Sequence, residues 1–469
     1  MADCAVLILA AGKGTRMKSE LPKVLHPLAE KPLLAHVLDA ARGLNPSRIV
    51  VVVGHGGDQV RAAMAADDVS FVTQEPQLGT GHAVQCGLTA LGEVSGELLI
   101  LNGDVPLIRT ETLTGLLDLH RRGGHPVTVL SCMQNPPTGY GRMVRGELGN
   151  LERIVEEKDA DTETRAINEI NSGTYCVDAA RLPGWLSQLS TDNAQGEYYL
   201  TDIVPMANSE HREGSGSGLA GAFCHHDGME LSGINNRVQL AQLGAAFRNR
   251  LTERLMMDGV SFIDPGSCWI AADAKIGRDT QIAPGVIIGP NVTIAEGCVI
   301  GPYCEIRNAD LGPGTVLHAY CHVDGAVAKG PGSIGPFARL RPGTVLEANI
   351  KVGDFVELKK THLGEGSKVP HLAYVGDAEI GKNCNIGCGT ITCNYDGVNK
   401  HKTTLGDGVF IGSDTQLVAP VTLGDGAYVG AGSTITKDVP GDALATSRVG
   451  QRVTEGWAAK RRATLKKNK

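Results

Sequence analysis

Aliphatic residues recur at every sixth position through the second half of this 469-residue chain. A period of six differs from the 3.6 residues of a helix and from the two-residue alternation of a strand. A hexapeptide repeat predicts a parallel β-helix, in which each hexad forms one face of a triangular prism and the aliphatic side chains stack inside. The aliphatic positions of the repeat are Ile276, Ile282, Ile288, Ile294, Ile300, Ile306, Ile334, Leu340, Leu346, Val352, Leu358, Leu363, Val369, Val375, Leu405, Ile411, Leu417, Leu423, Val429 and Ile435.

A small residue often follows the aliphatic one, as at Gly277, Gly289, Gly301 and Gly412. We expect this residue to turn the corner of the prism, where a Cβ atom is costly or φ must be positive. The repeat by itself predicts only a solenoid and carries no chemistry.

Apolar runs that alternate with a helical segment predict an α/β domain in the first half of the chain. The run at 5–9 is typical of a central parallel strand, 37–44 predicts a helix, and 48–53 predicts a second strand. Further strands are expected at 70–73 and 97–101, giving a mostly parallel, Rossmann-like sheet. Ligands of such sheets gather outside the carboxyl ends of the strands.

Between the two halves, an amphipathic helix is predicted to act as a linker and to end at Gly259. We therefore expect a first domain at 1–237, a linker at 238–258, and a β-helix domain with a basic tail at 259–469. The apolar positions of the helix, three or four residues apart, are Leu240, Leu243, Phe247, Leu251 and Leu255.

Composition narrows the functional classes. A chain of this length is expected to contain two or more domains, and its net charge of -7 with a pI near 6.1 argues against general nucleic-acid binding. The twelve cysteines follow no framework pattern, which is typical of a reduced, cytoplasmic protein. No apolar run approaches the ~20 residues that a membrane span needs.

The loop after the first strand carries glycines and cations. Gly12 and Gly14 resemble a dinucleotide fingerprint that lacks its third glycine, which makes that interpretation weak. Alternatively, the glycine N–H groups bind phosphate, while Lys13, Arg16 and Lys23 supply positive charge. A solvated basic turn is the third interpretation.

Two later loops favour the phosphate interpretation. Gln74 and the Gly-Thr-Gly turn at 79–81 offer groups that can bind a pyrimidine edge and a ribose. Asp104 ends an apolar strand and suits Mg²⁺, which takes few protein ligands and retains phosphate oxygens and water. An aspartate in this position can also cap a turn.

These motifs together resemble sugar-1-phosphate nucleotidyltransferases. With the hexapeptide domain, the chain from Ala5 to about Trp457 resembles the bacterial bifunctional N-acetylglucosamine-1-phosphate uridyltransferase/glucosamine-1-phosphate acetyltransferases. The motifs that carry the resemblance lie at 9–17, 21–24, 77–82, 103–106, 139–142, 154–158, 169–173, 193–202 and 233–237.

The resemblance implies two reactions. Acetyl-CoA acetylates glucosamine 1-phosphate, and UTP with Mg²⁺ then uridylylates N-acetylglucosamine 1-phosphate, which releases pyrophosphate and yields UDP-N-acetylglucosamine for cell-wall synthesis. It also implies a left-handed β-helix, a cytoplasmic homotrimer, and acetyl sites shared between neighbouring prisms.

The resemblance assigns the uridylyl site residue by residue. Arg16 and Lys23 contact the triphosphate and act in catalysis, and Asp104 and Asn235 share the Mg²⁺. The amino sugar is held by Gly141, Glu156 and Asn171. The other substrate-binding positions are Leu9, Ala10, Ala11, Gly12, Gln74, Gly79, Thr80, Asn102 and Gly103.

For the acetyl site, the resemblance makes His371 the base that deprotonates the amine, since an ammonium has no lone pair and histidine titrates in the useful range. Glu357 is expected to orient or tune His371. The sugar-phosphate residues are Arg341, Lys359, Tyr374 and Asn385, and the acetyl-CoA residues are Cys388, Asn394, Tyr395, Ser413, Ala431 and Arg448. Family members often have alanine at 388, so Cys388 is a departure that we expect to contribute a backbone contact only.

Several alternatives stay open at this point. Cys384, Cys388, Cys393 and His401 could indicate a metal site, although their spacing matches no ordinary zinc pattern. The basic end at 460–469 is expected to fray, with a lid over the anionic CoA as the alternative. The chain could also retain only nucleotidyl transfer with a structural β-helix, or be a scaffold that binds nucleotide sugars without catalysis.

Overall fold

The computed structural model describes residues 4–147, 149–212 and 218–467. The chain divides into two compact units, residues 1–250 and 251–469. No helix among the described residues is long and apolar enough to cross a membrane. Lys469, the last residue of the basic tail, lies outside the described residues.

The first unit is an α/β domain around a nine-stranded mixed sheet, with β2 and β3 forming a separate hairpin. Its strands are β1 Cys4–Ala10, β2 Pro27–Leu28, β3 Lys31–Pro32, β4 Arg48–Val53, β5 Val69–Thr73, β6 Glu97–Asn102, β7 Val127–Met133, β8 Arg142–Arg145, β9 Leu151–Val155, β10 Glu169–Asp178 and β11 Gly221–His225. Its helices are α1 Leu33–Arg42, α2 Gly57–Met64, α3 Thr80–Leu91, α4 Thr110–Gly123, α5 Thr162–Arg165, α6 Leu182–Leu186, α7 Ile203–Arg212 and α8 Arg237–Met257, the last of which continues into the second unit.

The main path of the sheet runs β11-β7-β10-β6-β1-β4-β5. Strands β6, β1, β4 and β5 are mutually parallel, whereas β10 is antiparallel to both β6 and β7. The strands predicted from apolar runs are therefore confirmed. The helix expected at 37–44 begins earlier, at Leu33.

Strand β1 is apolar throughout because both faces of the sheet are covered. Val6 and Ile8 belong to one buried cluster, and Ala5 and Leu7 belong to the cluster on the opposite face. In the register, Leu9 pairs with Asn102 of β6, and β1 ends beside the end of β4. The loops after β1, β4 and β6 thus leave the same edge of the sheet.

Helix α8 is present where the linker was predicted. Leu243 is buried in a small cluster with Met17 and Leu33, and the partly buried Phe247 packs against that cluster. The helix is followed by Gly259 at φ 95°, the left-handed conformation typical of a helix end.

The second unit is a parallel β-helix, as predicted. One face is an eleven-stranded sheet, and the other two faces together form a seventeen-stranded sheet. The strands of the first face are Ser261–Phe262, Gln281–Ile282, Val299–Ile300, Thr315–Leu317, Gly332–Ile334, Ile350–Asp354, Lys368–His371, Asn385–Ile386, Phe410–Ile411, Tyr428–Val429 and Leu444–Ala445.

On the remaining two faces, Glu357–Leu363 and Tyr374–Ile380 turn the corner and contribute to both. The second face otherwise contains Trp269–Ile270, Ile287–Ile288, Glu305–Arg307, His322–Asp324, Arg339–Leu340, Ile391–Cys393, Gln416–Val418 and Thr434–Ile435. The third otherwise contains Lys275–Ile276, Thr293–Ile294, Asp310–Leu311, Ala326–Ala328, Thr344–Leu346, Thr403–Leu405 and Val421–Leu423.

The hexad aliphatics fill the interior, and all of them are buried except Ile276, which is half-buried. Of the two reasons expected for the small residue that often follows, the structure confirms the cost of a Cβ atom. At Gly301 a Cβ would lie 2.7 Å from the backbone of His318 in the next coil, yet the φ of Gly301 is not in the left-handed region. Close approach of successive coils therefore selects these glycines, and positive φ does not.

Two features at the C-terminal end depart from the regular repeat. The loop at 394–402 leaves the wall of the β-helix and is closed by a bridge between Tyr395 and Lys400. The basic tail forms an exposed helix, α9 Trp457–Lys467, so the expectation of a frayed end is wrong within the described residues. The alanines, leucine, lysines and arginines of this segment have high helix propensity, which explains the difference.

Candidate active sites

A cavity of about 520 Å³ opens at the carboxyl edge of the first sheet. Its wall combines small residues that expose the backbone with two cationic and two acidic side chains, and a few placed polar groups of this kind are typical of a ligand site. The lining residues are Leu9, Ala10, Ala11, Gly12, Lys13, Lys23, Val24, Gln74, Gln77, Gly79, Thr80, Ala83, Asn102, Asp104 and Glu197. Nine of the predicted substrate positions are thus on one surface, together with Asp104.

The first loop is open where ligand would approach it. A Cβ at Gly12 would meet no atom within 4 Å, whereas Gly14 has φ 60° and lies against Lys23. Only one 3₁₀ turn, Thr15–Met17, follows the loop. No α-helix therefore starts directly after this loop, and α3 begins at the cavity, at Thr80.

Lys23 lies between two oxygen-bearing side chains. Its Nζ is 2.5 Å from Oδ2 of Asp104 and 3.2 Å from Oδ1 of Asn235. Arg16 donates from Nη2 to the same Asn235 oxygen, at 2.9 Å. The structure thus brings all four predicted phosphate and metal residues together, and the two oxygens already converge on one cationic nitrogen.

Amide side chains hold the opposite wall of the cavity. Gln74 donates to the carbonyl of Gly79 at 2.9 Å, and Gln77 donates to the carbonyl of Ala11 at 2.5 Å. Gln77 lies in the 77–82 motif, but the resemblance assigns it no role. Glu197 was missed in the same way, although it lies in the 193–202 motif and lines the cavity.

The three amino-sugar candidates form a second group next to the cavity. The N–H of Asn171 donates to the carbonyl of Gly141 at 2.9 Å, and a Cβ on Gly141 would be 3.3 Å from Oε1 of Glu156. Asn102 joins the group to the cavity, because its amide donates to the carbonyl of Ser172 at 3.3 Å. Gly103 supports this arrangement through its N–H, which donates to the carbonyl of Leu9 at 2.9 Å.

Glu156 lies in an acidic environment. Burial raises the pKa of its carboxyl, and the nearby Asp159 and Asp202 raise it further, against the opposing effect of Arg142. Its carboxyl oxygens can accept hydrogen bonds from a sugar hydroxyl or amide N–H.

In the β-helix, the acetyl-CoA candidates form a column along one corner. Gly389 N–H binds the carbonyl of Leu372, the residue after His371. On the following coils, Asp414 N–H binds Cys388 and Gly432 N–H binds Ser413, at 2.7 and 2.8 Å. Arg448 Nη1 then donates to the carbonyl of Ala431 at 2.7 Å. The contact at Cys388 is through its backbone.

The second face beside this corner carries the candidates for the sugar phosphate. Lys359 Nζ is 3.7 Å from Asp377 Oδ2, and Asn394 donates to the same oxygen at 2.5 Å and contacts Tyr374 Oη at 3.4 Å. The adjacent Lys359 ammonium lowers the pKa of Lys400. The sequence analysis assigned no role to Lys400. Two cations this close together favour an anionic ligand. Tyr395 lies in the same loop and donates to the carbonyl of Gly397 at 2.5 Å.

Two expectations for this site need changing. Glu357 does not hold His371; its Oε1 accepts from Arg341 at 2.8 Å, while the carboxylate at His371 belongs to Asp354. Asn385 lies on the first face, in register with Lys368, and not on the face of Tyr374.

The alternative metal site finds no support in the geometry. Cys384 is buried and its thiol points to the carbonyl of Gly406 at 3.0 Å. His401 binds Asp396 instead, at 2.7 Å. Within residues 4–147, 149–212 and 218–467, no three His, Cys, Asp or Glu side chains are grouped as metal ligands.

Each half of the chain matches a known protein family. Residues 6–167 match the MobA-like NTP transferase domain. Residues 273–308 and 402–437 match the bacterial transferase hexapeptide (six repeats).

Relatives match along the whole chain. The bifunctional protein GlmU of Geobacter metallireducens is 49% identical over 98% of this chain and 100% of its own. The proteins of the same name from Marinobacter nauticus and Pseudomonas putida KT2440 are 48% and 49% identical, and each alignment covers 99% of this chain and at least 99% of the relative. The chain therefore belongs to the family of bifunctional GlmU proteins.

Proposed function

We propose that the chain makes UDP-N-acetylglucosamine in two steps, with acetyl transfer to glucosamine 1-phosphate first and uridylyl transfer second. The observation that carries this proposal is the presence of two separately assembled sites in one chain. One is the cavity with Lys23 and Asp104, and the other is the corner that starts at His371. We assign residues 1–237 to uridylyl transfer, 238–258 to the linker, and 259–469 to acetyl transfer.

In the uridylyl step, a phosphate oxygen of N-acetylglucosamine 1-phosphate attacks the α-phosphorus of UTP, and the bond to pyrophosphate breaks. The attacking oxygen is already anionic near neutral pH, so the reaction needs no general base. Its difficulty is the repulsion between two polyanions. Lys23 and Arg16 reduce that repulsion and stabilise the leaving pyrophosphate, and positioning in the cavity supplies much of the remainder.

The residues present fit an Mg²⁺ ion. Asp104 and Asn235 offer one carboxylate and one amide oxygen, both directed at the cation Lys23, and hard oxygen donors in small number are what Mg²⁺ takes from a protein. When bound, Mg²⁺ supplies charge neutralisation on the triphosphate. With the ion in place, we expect Lys23 to turn from Asp104 towards phosphate oxygens.

In the acetyl step, His371 removes a proton from the ammonium of glucosamine 1-phosphate, and the amine then attacks the thioester carbon of acetyl-CoA. The carbon–sulfur bond breaks and CoA leaves as a thiolate. An ammonium has three hydrogens and the amide product has one. Of the two that leave, one passes through His371 to the thiolate and the other goes to solvent.

The cations beside the corner bind the sugar phosphate in this proposal. Arg341 and Lys359 already hold carboxylates, at 2.8 and 3.7 Å, which an anionic phosphate would replace. Acetyl-CoA lies along the column from Cys388 to Arg448, with Asn394 and Tyr395 at its side. Asn385, on the other face, would serve a site that a neighbouring copy completes.

Association as a homotrimer is part of the proposal. Tyr303, Tyr320, Phe337 and Phe355 stack at centroid distances of 5.0–5.3 Å, and each is 46–58% exposed. The ladder leads to Leu372, beside His371. Exposed contiguous apolar surface of this kind is typical of an interface. The twelve free cysteines favour the cytoplasm.

A product assay tests the proposal. The full chain is incubated with glucosamine 1-phosphate, acetyl-CoA, UTP and Mg²⁺, and sugar phosphates are separated by chromatography. We expect UDP-N-acetylglucosamine, and N-acetylglucosamine 1-phosphate alone when UTP is omitted. Product formed only from supplied N-acetylglucosamine 1-phosphate would restrict the chain to nucleotidyl transfer, with a structural β-helix.

A further inference from the structure

Asp354 and His371 occupy equivalent positions on successive coils. Asp354 ends the strand Ile350–Asp354, His371 ends Lys368–His371, and the two residues are Cα partners in the parallel ladder. Between the coils, a Cβ on Gly353 would overlap the carbonyl of Pro370. The glycine therefore permits the close approach that sets the two side chains against each other.

The hydrogen bond between them fixes the state of the imidazole. Nδ1 of His371 lies 2.5 Å from Oδ1 of Asp354. Because an ionised carboxylate can only accept, Nδ1 must carry the proton. In neutral imidazole, Nε2 then holds the free lone pair. The hydrogen bond from His371 lowers the pKa of Asp354, which keeps this carboxyl ionised.

We propose that Asp354 is a positioning residue for acetyl transfer, which holds His371 with Nε2 as the proton acceptor and stabilises the imidazolium that forms. This inference rests on the proposed function, in which His371 is the base. The proton moves from the substrate ammonium to Nε2 and later to the CoA thiolate. Asp354 itself exchanges no proton and touches no substrate.

The other charged groups nearby cannot accept the hydrogen bond of His371 Nδ1 in place of Asp354. Glu357 is engaged by Arg341, with Arg339 at 3.9 Å on its other oxygen. Lys351 on the strand of Asp354 lowers the pKa of that carboxyl further. Lys368 is the cation on the strand of His371, three residues before it. Neither lysine can accept a hydrogen bond from Nδ1, because an ammonium group only donates.

The test compares Asp354→Asn with the wild type in the full chain. The amide keeps the shape of the side chain but loses its charge, and its NH₂ group can donate to Nδ1 and so reverse the tautomer. General-base catalysis contributes about 10²–10⁴-fold, so we expect acetylation kcat to fall by about 10-fold to 100-fold. KM for both substrates should stay within about 2-fold, and the acidic limb of kcat/KM should move to lower pH.

A second readout does not depend on turnover. Diethyl pyrocarbonate acylates neutral imidazole, and peptide mass mapping follows its reaction at His371 across pH. We expect the midpoint of this reaction to move to lower pH in Asp354→Asn. The matched control is Glu347→Gln, because Glu347 binds a different histidine, His362, at 2.9 Å, whereas His371 binds Asp354.

The outcomes separate this inference from the proposed function. If His371→Ala still acetylates at the wild-type rate, the assignment of the base is wrong. If His371→Ala is inactive while Asp354→Asn keeps the wild-type kcat, pH profile and modification midpoint, Asp354 has no positioning role. If Glu347→Gln shifts the profile as much as Asp354→Asn does, the effect is general and the inference is also overturned. Because the substitutions lie in the second unit, the Tm of that unit, measured in the full chain, reports the folding of every variant.

Discussion

Replacement of Gly353 by alanine tests whether the spacing of two coils controls acetyl transfer. The φ of Gly353 is not in the left-handed region, so the change adds no backbone strain of its own. The new methyl group would nevertheless overlap the carbonyl of Pro370, and the coils that carry Asp354 and His371 must separate. Ordinary contact between the methyl carbon and the oxygen requires a local shift of roughly 1.5–2 Å.

The structure gives the expected magnitudes. Overpacking of a well-packed interior costs about 1–3 kcal/mol, which corresponds to a Tm lower by roughly 2–12 °C in a unit of this size. A catalytic group misplaced by about 1 Å costs on the order of 10²-fold in rate. Acetylation by Gly353→Ala should therefore fall by at least about 10²-fold, while uridylyl transfer stays unchanged.

The assay is kcat for acetylation, measured by thiol release from acetyl-CoA well below the Tm of the variant. Gly266→Ala is the control, because its new Cβ would only reach an ordinary 3.4 Å contact with Asp264. If Gly353→Ala loses stability but acetylates like the wild type, the close approach of these coils does not position the base, and the reasoning is refuted.

Three more predictions concern other parts of the chain. A fragment of residues 1–250 should still uridylylate N-acetylglucosamine 1-phosphate. A shorter fragment that ends at 237 lacks Leu243 of the buried cluster and should melt at a lower temperature than the 1–250 fragment. Equal Tm values for the two fragments would contradict this. Because the folded-state pKa of Glu156 is raised, its charged form costs stability above that pKa, and the cost disappears as pH falls below the unfolded value. Glu156→Gln should therefore raise Tm at pH 8 but not at pH 4. An equal rise of Tm at both pH values would show that the charge of Glu156 is not what costs stability. Tyr320→Ser with Phe337→Ser should shift the sedimenting species from trimer towards monomer, and an unchanged trimer would exclude the ladder from the interface.

The fold was largely predictable because each domain repeats a simple pattern. The apolar run of β1 must be buried on both faces of its sheet, and the hexad aliphatics must stack in one interior column. The residues alone therefore indicate a sheet covered by helices and a triangular prism. The glycine loop and Asp104 could be assigned to one edge because the carboxyl ends of parallel strands meet there.

Contacts between coils could not be predicted because the coils differ in length. Ile282 pairs with Ile300, but Val352 pairs with Val369, one residue short of three hexads. A coil of three full hexads would place Gly353 beside His371, and the one-residue slip places Asp354 there instead. A repeat of fixed period cannot show where the frame changes.

Glu197 was missed for a different reason. It is distant in sequence from every strand end at the cavity, and backbone hydrogen bonds of its neighbour Tyr198 with Leu78 and Gly81 place it there. No local sequence pattern predicts these long-range backbone hydrogen bonds.

The central claim is that one chain holds two independent sites, and complementation between two variants tests it most directly. Asp104→Ala and His371→Ala are each incubated with glucosamine 1-phosphate, acetyl-CoA, UTP and Mg²⁺, first alone and then mixed. We predict that Asp104→Ala stops at N-acetylglucosamine 1-phosphate and that His371→Ala, slowed at least ~100-fold in acetylation, leaves glucosamine 1-phosphate. The mixture should restore UDP-N-acetylglucosamine. If both folded variants stop at the same compound, or if the mixture stays inactive, the two-site account is contradicted.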